Sequence, residues 1–450
     1  ATGYYTNNTP SGAMRTFGVL QPTFAIESLM DICSEKLGID PIELRMINGM
    51  KDGAVTHTRQ VLGKVAYTET LKKCSEIAGW EVGSSRVRGS VRKDIKGSQI
   101  AEPYIPGKEF KSEEAMKLCR DRFKYGRGVG TGWYGIGRCA TIDKAGAFVE
   151  IDDGGTAMIL TGVSEIGEGI LTVLTQIAAD ELGMYPEDIT IGDNDTARVP
   201  EAAHVGASRQ TYMIGNAVCN ACRDVKKKFI REMAAYWNID SSSICMKNRR
   251  IYVEGNAQYN LSLKEAVDIC KKVRGIVPLG SGTYTAHHEG LDPVDGRGNP
   301  WQAYVFGTQI AEVAVDTFTG EVHVLGIWAA HDVGRVINPR GVEGQIEGGA
   351  VQSMGQTIME NYVLSEGVPT NKNFAKYILP TSVDVPEIHS YLVEERDPFS
   401  PVGAKGIGEP APLPTAPAIV NAIYDAVGVR ITSLPAIPEK ILNEISKMKN

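Results

Sequence analysis

The sequence predicts an α+β fold in which mixed sheets and helices alternate along the chain. Residues 147–160 have the pattern of two strands joined by a tight turn at residues 152–155. Residues 309–315 and 322–330 alternate apolar and polar side chains on either side of a second turn, which is typical of a hairpin. A helix-period segment at residues 170–182 lies between these two strand pairs. The composition, 42% hydrophobic and 22% charged, fits a globular chain and excludes global disorder.

The other elements follow from local signals, taken in chain order. Residues 21–37 form a helix because their apolar side chains recur every three or four positions. Gly183 ends the helix at 170–182, and Gly428 ends a last helix that spans 417–427 and follows Thr415 as its N-cap. The remaining expectations are a strand at 188–192, a long helix at 208–237, irregular structure at 248–306 and a helix at 341–357.

A basic segment separates the first part of the chain from the rest. Residues 84–125 are charged and mixed, which favours a solvated linker. We place a domain boundary near residue 125, so that residues 1–125 and 126–450 form separate units. A glycine-rich run at 126–137 opens the second unit. The basic residues of the linker are Arg86, Arg88, Arg92, Lys93 and Lys96.

Charge and composition narrow the classes of function. The chain has 47 basic and 54 acidic residues and a net charge of −7, which disfavours a nucleic-acid partner. No apolar run reaches the roughly 18 residues that span a bilayer, and no secretory signal opens the chain. We therefore expect a cytoplasmic protein without a membrane segment. The chain also lacks an initiator methionine, which suggests a processed piece or a fragment.

The cysteines and histidines do not form a metal-binding pattern. Cys219 and Cys222 are the only CxxC pair, and they lie within the predicted helix at 208–237. We interpret them as two buried thiols one helical turn apart. The seven histidines form neither HExxH nor HxH, and no iron–sulfur spacing occurs. The sequence therefore predicts no metal ligated directly by side chains.

Glycine is in surplus and concentrated in loops that lead into predicted helices. The chain has 49 glycines in 450 residues, whereas an average protein has roughly 7%. Such junctions lie at residues 161–169, 203–210, 341–349 and 402–410. Each directs backbone N–H groups and a positive helix end towards one point, which favours binding of an anionic or heteroatom-rich group. None contains a nucleotide-binding fingerprint, so we expect a large cofactor enclosed by several loops.

Three charged residues in glycine-rich loops are candidates for chemistry. Glu409 lies between Gly408 and a proline, in a segment that is otherwise low in charge, and is a candidate general base. From local sequence alone it could equally be a loop glutamate that caps a helix. Arg15 and Arg209 lie in loops poor in nearby acids, where each could bind an anion or pair with a distant carboxylate.

Five ordered motifs together resemble the molybdenum hydroxylases, the xanthine dehydrogenase and aldehyde oxidoreductase family. GAMRTFGVLQ at 12–21 resembles that family's GAFRGFGxPQ loop, and EIGEG at 165–169 resembles its E(I/M)GQG loop. GASRQTYMIGNA at 206–217 resembles SxRxTxxxGNA, and residues 332–348 resemble DxGxxxNPxxxxGQxEG. GAKGIGEP at 403–410 resembles the GAKGxGEP loop that carries the catalytic glutamate. The resemblance spans nearly the whole chain.

The resemblance implies an α+β molybdopterin-binding subunit that hydroxylates a small molecule with water as the oxygen source. It implies Glu409 as the general base and Arg15 as the residue that orients substrate and stabilises developing charge. The cofactor would be a molybdenum–pyranopterin, either bare molybdopterin or its cytosine dinucleotide form. The residues implied to contact it are Gly167, Glu168, Gly169, Gly206, Ala207, Ser208, Arg209, Gln345 and Gly408.

The resemblance covers only the C-terminal part of the family's molybdenum subunit. The GGGFGGK-type loop of the earlier half does not occur here. The resemblance therefore assigns residues 1–125 to the end of the first molybdopterin-binding domain and a linker, and residues 126–450 to the second. It implies partners that carry the N-terminal half, iron–sulfur clusters and FAD, assembled as a dimer of heteromers.

Two further points concern specificity. Glu168 stands where the family often has glutamine, and an ionised glutamate cannot donate a hydrogen bond to a metal oxo group. The leading substrates are an N-heterocycle, purine-like or nicotinate-like, or an aldehyde. The alternatives are reductive dehydroxylation of aromatic CoA thioesters within the same family, and a non-catalytic subunit for cofactor binding or assembly.

Overall fold

A computed structural model describes residues 4–10, 12–83, 122–139, 141–400 and 402–449. Most of the linker predicted at 84–125 lies outside these residues. The helices, in chain order, are α1 (Leu20–Leu37), α2 (Pro41–Asn48), α3 (Tyr67–Ile77), α4 (Ile170–Leu182), α5 (Gly215–Trp237), α6 (Leu263–Asp268), α7 (Pro339–Ile358), α8 (Thr415–Val427) and α9 (Pro438–Lys449).

The strands are β1 (Phe123–Gly135), β2 (Lys144–Ile151), β3 (Ala157–Leu160), β4 (Ile189–Ile191), β5 (Ile244–Lys247), β6 (Arg250–Val253), β7 (Asn256–Ser262), β8 (Leu279–Thr285), β9 (Gly290–Leu291), β10 (Gly298–Asn299), β11 (Tyr304–Asp316), β12 (Val322–Asp332), β13 (Leu364–Ser365), β14 (Val368–Pro369) and β15 (Glu387–Val393). They form two four-stranded sheets, one three-stranded sheet and two short hairpins in the described part of the chain.

The first four-stranded sheet has helices on both faces. Its strand order is β1-β11-β12-β15, with antiparallel pairs except for the parallel pair β12–β15. Every residue of β11 is buried, because its alternate side chains enter two different cores. Val313 packs with residues of α7 and α8, whereas Ile310 packs with residues of α2 and α3. This sheet is therefore the central layer of three.

The second four-stranded sheet supports the rest of the core. Its order is β4-β3-β2-β8, and helices α4 and α5 pack against it in the largest hydrophobic cluster. The small antiparallel sheet β5-β6-β7 borders the same cluster through Ile244 and Ile251. None of the helices in the described part of the chain is long and apolar enough to cross a membrane.

Most predicted elements are confirmed. Helix α4 has the predicted bounds, and Gly183 follows it in the left-handed conformation with φ 66°. The predicted hairpins correspond to β2–β3 and β11–β12, and β4 lies within the predicted strand at 188–192. The predicted helix at 208–237 begins later, at Gly215, because a wider π-type turn occupies Gln210–Ile214.

Two predictions of secondary structure are wrong. Residues 248–306, expected to be irregular, contain strands β6 to β10, helix α6 and the start of β11. Short strands rich in polar residues, such as Asn256–Ser262, carry little apolar alternation, and only their sheet partners reveal them. Thr415 does not cap α8: it is the first helical residue, and its hydroxyl donates to Gln309 Oε1 at 2.6 Å.

The glycine-rich run at 126–137 is largely strand β1, which lies directly beneath the backbone of α8. A Cβ atom on Gly128 would lie 2.2 Å from both the carbonyl oxygen of Ala418 and the amide nitrogen of Ala422. Gly126 and Gly130, on the same face of the strand, meet the same helix equally closely. Gly280 and Gly282 of β8 lie beneath α5 in the same way. These five glycines thus serve close contact between helix and sheet and not loop geometry.

We expect Gly128→Ala to destabilise the protein by more than about 3 kcal/mol, because the new methyl group would displace α8 from the sheet. Gly348→Ala is the matched control, since Gly348 lies within α7 and a Cβ there would meet none of the described atoms within 4 Å. That control should raise stability by about 0.5–1 kcal/mol. Urea unfolding of both variants tests this, and equal midpoints would contradict the close contact.

Candidate functional site

The predicted glycine loops converge on one large cavity of about 1450 Å³. Each of the four helix junctions at 161–169, 203–210, 341–349 and 402–410 contributes residues to its wall. Of the predicted site residues, all but Gly169 line the cavity. The lining set is Arg15, Gly167, Glu168, Gly206, Ala207, Ser208, Arg209, Gln345, Gly408 and Glu409. The four loops therefore border a single cavity, as a cofactor enclosed by several loops would require.

A buried ion pair fixes the loop that carries Glu409. Lys405 Nζ lies 2.7 Å from Asp332 Oδ2, and both side chains are almost fully buried. Burial raises the pKa of Asp332 to about 6, although the charge of Lys405 acts in the opposite direction. The amide of Lys405 also donates to the carbonyl of Val333 at 2.9 Å. The loop is thus tied to the end of strand β12, a role for Lys405 that its place in the GAKGIGEP motif does not reveal.

Glu409 is held by a side chain from another loop. Ser208 Oγ donates to Glu409 Oε2 at 3.2 Å and accepts from the amide of Glu409 at 2.9 Å. Tyr134 also interacts with Glu409: burial first, and then the carboxylate of Glu409, raise the pKa of this phenol well above its usual range. Tyr134 was not among the site residues predicted from the sequence.

Strand alternation explains the position of Tyr134. Positions 126, 128, 130, 132 and 134 share one face of β1, and the first four are the glycines beneath α8 and the segment before it. Tyr134 is the first large side chain on that face, and it follows directly after the position opposite Leu413. The signal was therefore present in the sequence, once the glycine run is recognised as a strand.

Arg15 joins the first loop of the chain to the rest of the site. Its Nε donates to the carbonyl of Gly408, and its Nη2 donates to the backbone oxygen of Gln345 at 3.2 Å and to Gln345 Oε1 at 3.1 Å. Burial lowers the pKa of Arg15, and the negative charge of Glu409 partly offsets this effect. Arg15 therefore links the 12–18 loop, α7 and the 403–409 loop beside the candidate base.

Residues with positive φ cluster in two of these loops. Thr16 and Phe17 have φ of 89° and 50°, and Ala207 and Ser208 have φ of 56° and 50°. Such conformations cost about 1–3 kcal/mol per residue outside glycine and persist only where the surroundings impose them. Both pairs adjoin residues that contact the Glu409 loop. The backbone is strained where the site is assembled.

The 165–169 loop differs from expectation because Glu165 occupies the N-terminus of α4. Glu165 Oε1 accepts from the amides of Gly167 at 2.8 Å and Gly169 at 2.9 Å, and Oε2 accepts from Leu171 at 3.3 Å. These N–H groups were expected to point freely at a ligand, and that expectation is wrong for this junction. A side-chain carboxylate of the chain itself satisfies them.

Glu168 lies beside this occupied helix end. Its Oε2 accepts from the amide of Ile166 at 2.8 Å, while its Oε1 is buried without a hydrogen-bond partner among the described residues. Burial raises the pKa of Glu168, and the adjacent carboxyl group of Glu165 raises it further. Burial also opposes ionisation of Glu165, but the amide of Gly169, Glu168 and further amides outweigh it and lower the pKa of Glu165. The two carboxyl groups therefore ionise in sequence, Glu165 first.

The side chain of Arg209 is used within the protein. Its Nη2 lies 2.7 Å from Asp143 Oδ1, and neither side chain is exposed. It also donates to the backbone oxygens of Lys144 at 3.0 Å and Ala202. Of the two roles expected for Arg209, binding an anion or pairing with a distant carboxylate, the structure shows the pairing. Among the described residues, no group of three or more His, Cys, Asp or Glu side chains could hold a metal ion.

Comparisons with known proteins agree on one group of relatives. A family described as the molybdopterin cofactor-binding domain matches residues 105–386, and a second family of that description matches residues 1–49. The chain is 30% identical over 449 residues to a putative xanthine dehydrogenase molybdenum-binding subunit of Escherichia coli (strain K12), covering 98% of this chain and 54% of that protein. It is 30% identical over 445 residues to an aldehyde oxidoreductase of Megalodesulfovibrio gigas, covering 98% and 42%. The chain spans about half the length of these curated relatives.

Solved structures share the fold. The aldehyde oxidoreductase from Desulfovibrio gigas has a TM-score of 0.76 at 28% identity and matches 96% of this chain and 42% of its own. Quinoline 2-oxidoreductase from Pseudomonas putida 86 has a TM-score of 0.79 at 24% identity, over 97% of this chain and 53% of its own. The predicted α+β class is confirmed.

The strain at Ser208 can be separated from its hydrogen bonds. Ser208→Ala removes both contacts with Glu409 and keeps a side chain at positive φ, whereas Ser208→Gly removes the same contacts and relieves the backbone. We expect the glycine variant to be more stable than the alanine variant by about 1 kcal/mol in urea unfolding. Equal stability of the two variants would show that this backbone is not strained.

Glu168 should make stability depend on pH. Folding raises the pKa of Glu168, so the folded protein binds this proton more tightly than the unfolded chain does. The resulting stabilisation is complete below the unfolded pKa of about 4.3 and is lost as pH rises through the pKa of the folded protein. Glu168→Gln should therefore unfold at higher urea concentration than the wild type near pH 7 and converge with it near pH 4. A gap for Glu168→Gln that stays constant with pH would contradict the raised pKa.

Proposed function

Since the chain belongs to the molybdopterin cofactor-binding domains of xanthine dehydrogenase and aldehyde oxidoreductase molybdenum-binding subunits, we propose that it supplies the catalytic base of a molybdenum hydroxylase. The proposed reaction inserts oxygen from water into an N-heterocycle or an aldehyde. The observation that carries this proposal is the placement of Glu409, with Arg15 and Ser208, on the cavity where the glycine loops meet.

The cavity fits a molybdenum–pterin group. Its volume of about 1450 Å³ exceeds the usual 300–1,000 Å³ of a small-molecule pocket, which leaves space for a large cofactor together with a small substrate. The buried Oε1 of Glu168 has no hydrogen-bond partner within the described residues, as expected where a ligand completes the site. A Cβ on Gly408 would lie 3.8 Å from Ser208 Oγ, so contacts within the protein do not require glycine there. A ligand that packs against the backbone of Gly408 would account for the glycine.

We infer which residues would hold the group. Gly206, Ala207 and Ser208 bring a left-handed stretch of backbone to the cavity wall. Gln345 offers its amide nitrogen, because its side-chain oxygen accepts from Arg15. Glu168 contributes its carboxyl group, since Glu165 takes the neighbouring amides. Arg209 pairs with Asp143 and so holds the 203–210 loop in place. When bound, the group supplies Lewis-acid activation of water and two-electron redox chemistry.

Glu409 would act as the general base. Its carboxylate takes a proton from the water that becomes the product oxygen, and Ser208 keeps Oε2 in position while it does so. Tyr134 adds a second contact to the same carboxylate. Arg15 lies beside this carboxylate and stabilises negative charge that develops on the substrate.

The cavity wall favours a flat substrate. Trp133 stacks on Tyr304 with 4.8 Å between ring centroids, and Trp301 meets Tyr304 edge-on at 5.9 Å. All three line the cavity, together with Tyr134. Aromatic walls of this kind bind planar rings, which supports an N-heterocycle as the leading substrate class. The relatives include a subunit of a 6-hydroxypseudooxynicotine dehydrogenase complex from Paenarthrobacter nicotinovorans, 29% identical over 453 residues.

The remaining assignments complete the proposal. Residues 1–125 would end a first cofactor-binding domain, and residues 126–450 would form the second. Partners that carry the other half of the molybdenum subunit, iron–sulfur clusters and FAD would remove the electrons in a cytoplasmic dimer of heteromers. The cofactor would be molybdopterin or its cytosine dinucleotide. Of these assignments, the relatives that are named as subunits support only the proposal that the chain acts within a larger complex.

Replacement of the base is the decisive experiment. In the assembled complex, Glu409→Gln should lower turnover by roughly 10²–10⁴-fold, the range typical of a lost general base. Molybdenum content, measured by mass spectrometry, should remain at the wild-type level. Glu254→Gln, an exposed glutamate outside the cavity lining, is the control and should retain activity. Unchanged turnover in Glu409→Gln would overturn the assignment, and absence of molybdenum from the native complex would overturn the whole proposal.

A further inference from the structure

Helix α1 buries acidic side chains and exposes apolar ones, which is the reverse of an ordinary surface helix. Its buried residues are Glu27, Asp31 and Ser34, whereas Ile26 and Leu29 are 57% and 59% exposed. Helices on protein surfaces normally bury their apolar stripe and expose their charged side. The apolar period predicted this helix correctly, but several of its apolar side chains face outwards.

Hydrogen bonds of the buried acids fix this orientation. Glu27 Oε2 accepts from Arg45 Nε at 2.8 Å and from the amide of Thr131 at 2.8 Å, inside the core beside β1. Asp31 pairs with Arg430 at 2.5 Å. A rotation that buried Ile26 would withdraw Glu27 from these partners and leave the fully buried Arg45 without its carboxylate. Loss of one member of a buried pair leaves the other charge uncompensated in the core and is strongly destabilising.

The outward side chains form a continuous stripe. We define the α1 stripe as Pro22, Ile26, Leu29, Cys33 and Leu37, which recur at helical spacing and are all exposed. Phe17, 74% exposed, extends the stripe at its N-terminal end. Phe17, Pro22 and Ile26 also line the cavity. Contiguous exposed apolar surface of this kind marks an interaction site, and this one runs to the edge of the cofactor cavity.

The lengths of the relatives supply a candidate occupant for the stripe. One of the two matching cofactor-binding families meets this chain only at residues 1–49, the segment that contains α1. The matched relatives carry about as much polypeptide again as this chain. A polypeptide seated on the α1 stripe would also lie against the cavity, where it could supply the remaining wall.

We propose that the α1 stripe is the docking surface for the polypeptide that completes the first cofactor-binding domain. That polypeptide presents a complementary apolar surface, covers Ile26 and Leu29, and closes the cavity next to Phe17. The inference rests on the proposed function for the identity of the partner, but the surface itself is defined by the inverted helix.

Cys33 provides a direct test, because it is an exposed thiol within the stripe. We expect maleimide to label Cys33 at least tenfold more slowly in the assembled complex than in the chain purified alone, as read at the peptide level by mass spectrometry. A Val277→Cys variant supplies the control thiol, since Val277 is 55% exposed and lies outside both α1 and the cavity lining. That control should react equally in both samples.

A photo-crosslinking residue at position 29 identifies the occupant. Crosslinked peptides should come from polypeptide that corresponds to the part of the relatives this chain does not cover. Leu29→Asp should weaken co-purification of that polypeptide at least tenfold, while Val277→Asp should leave it unchanged. Equal labelling of Cys33 in both samples, or crosslinks to a second copy of this chain, would overturn the proposal.

The outcomes also separate this inference from the proposed function. A complex that contains molybdenum while Cys33 reacts freely would overturn the docking surface and leave the hydroxylase proposal standing. A complex in which Cys33 is protected but molybdenum and pterin are absent would overturn the hydroxylase proposal and leave the docking surface standing.

Discussion

The contact between the backbone of α8 and the glycines of β1 determines where the site lies. Alternate residues of an antiparallel strand are spaced by about 6.8 Å and every fourth helical residue by about 6 Å, so a column of glycines can follow a row of alanines. Gly126 meets Ala422 and Ala426, and Gly130 meets Pro414, so helix and strand run in opposite directions. The segment before α8 therefore continues along β1 past Gly132, and its residue Glu409 lies beside Tyr134.

The strained loops that line the cavity are attached to closely packed layers of helix and sheet. The second sheet uses the same device, because Gly280 and Gly282 of β8 lie beneath Ala217 and Ala221 of α5. The loops attached to these layers contain Lys405, which pairs with buried Asp332 at the end of β12, and the positive-φ residues Thr16 and Ser208. Neither feature favours stability alone, since buried ions lose solvation and strained backbone is costly. Close-packed layers hold both in place, and the functional groups lie where local preference is overridden.

Much of this arrangement was predictable, and the exceptions have physical causes. The fold class, the helix at Ile170–Leu182 and the convergence of glycine loops follow from periodicity and turn chemistry. The partners of Arg209 and Lys405 could not be predicted in this way, because Asp143 and Asp332 are distant in sequence and only the tertiary structure brings them close. The α1 helix shows the same limit: apolar period locates a helix, but the side it buries depends on what lies opposite.

The glycines beneath α8 carry a consequence for how this protein can vary. The atoms that a methyl group on Gly126 or Gly128 would meet belong to the helix backbone, which every amino acid shares. No substitution on α8 can therefore create room for it. At Gly135 the obstructing atoms belong instead to the indole ring of Trp301, and a smaller residue there could make room. In homologues, positions 135 and 301 should therefore change together, whereas positions 126 and 128 should remain glycine whatever residues α8 carries.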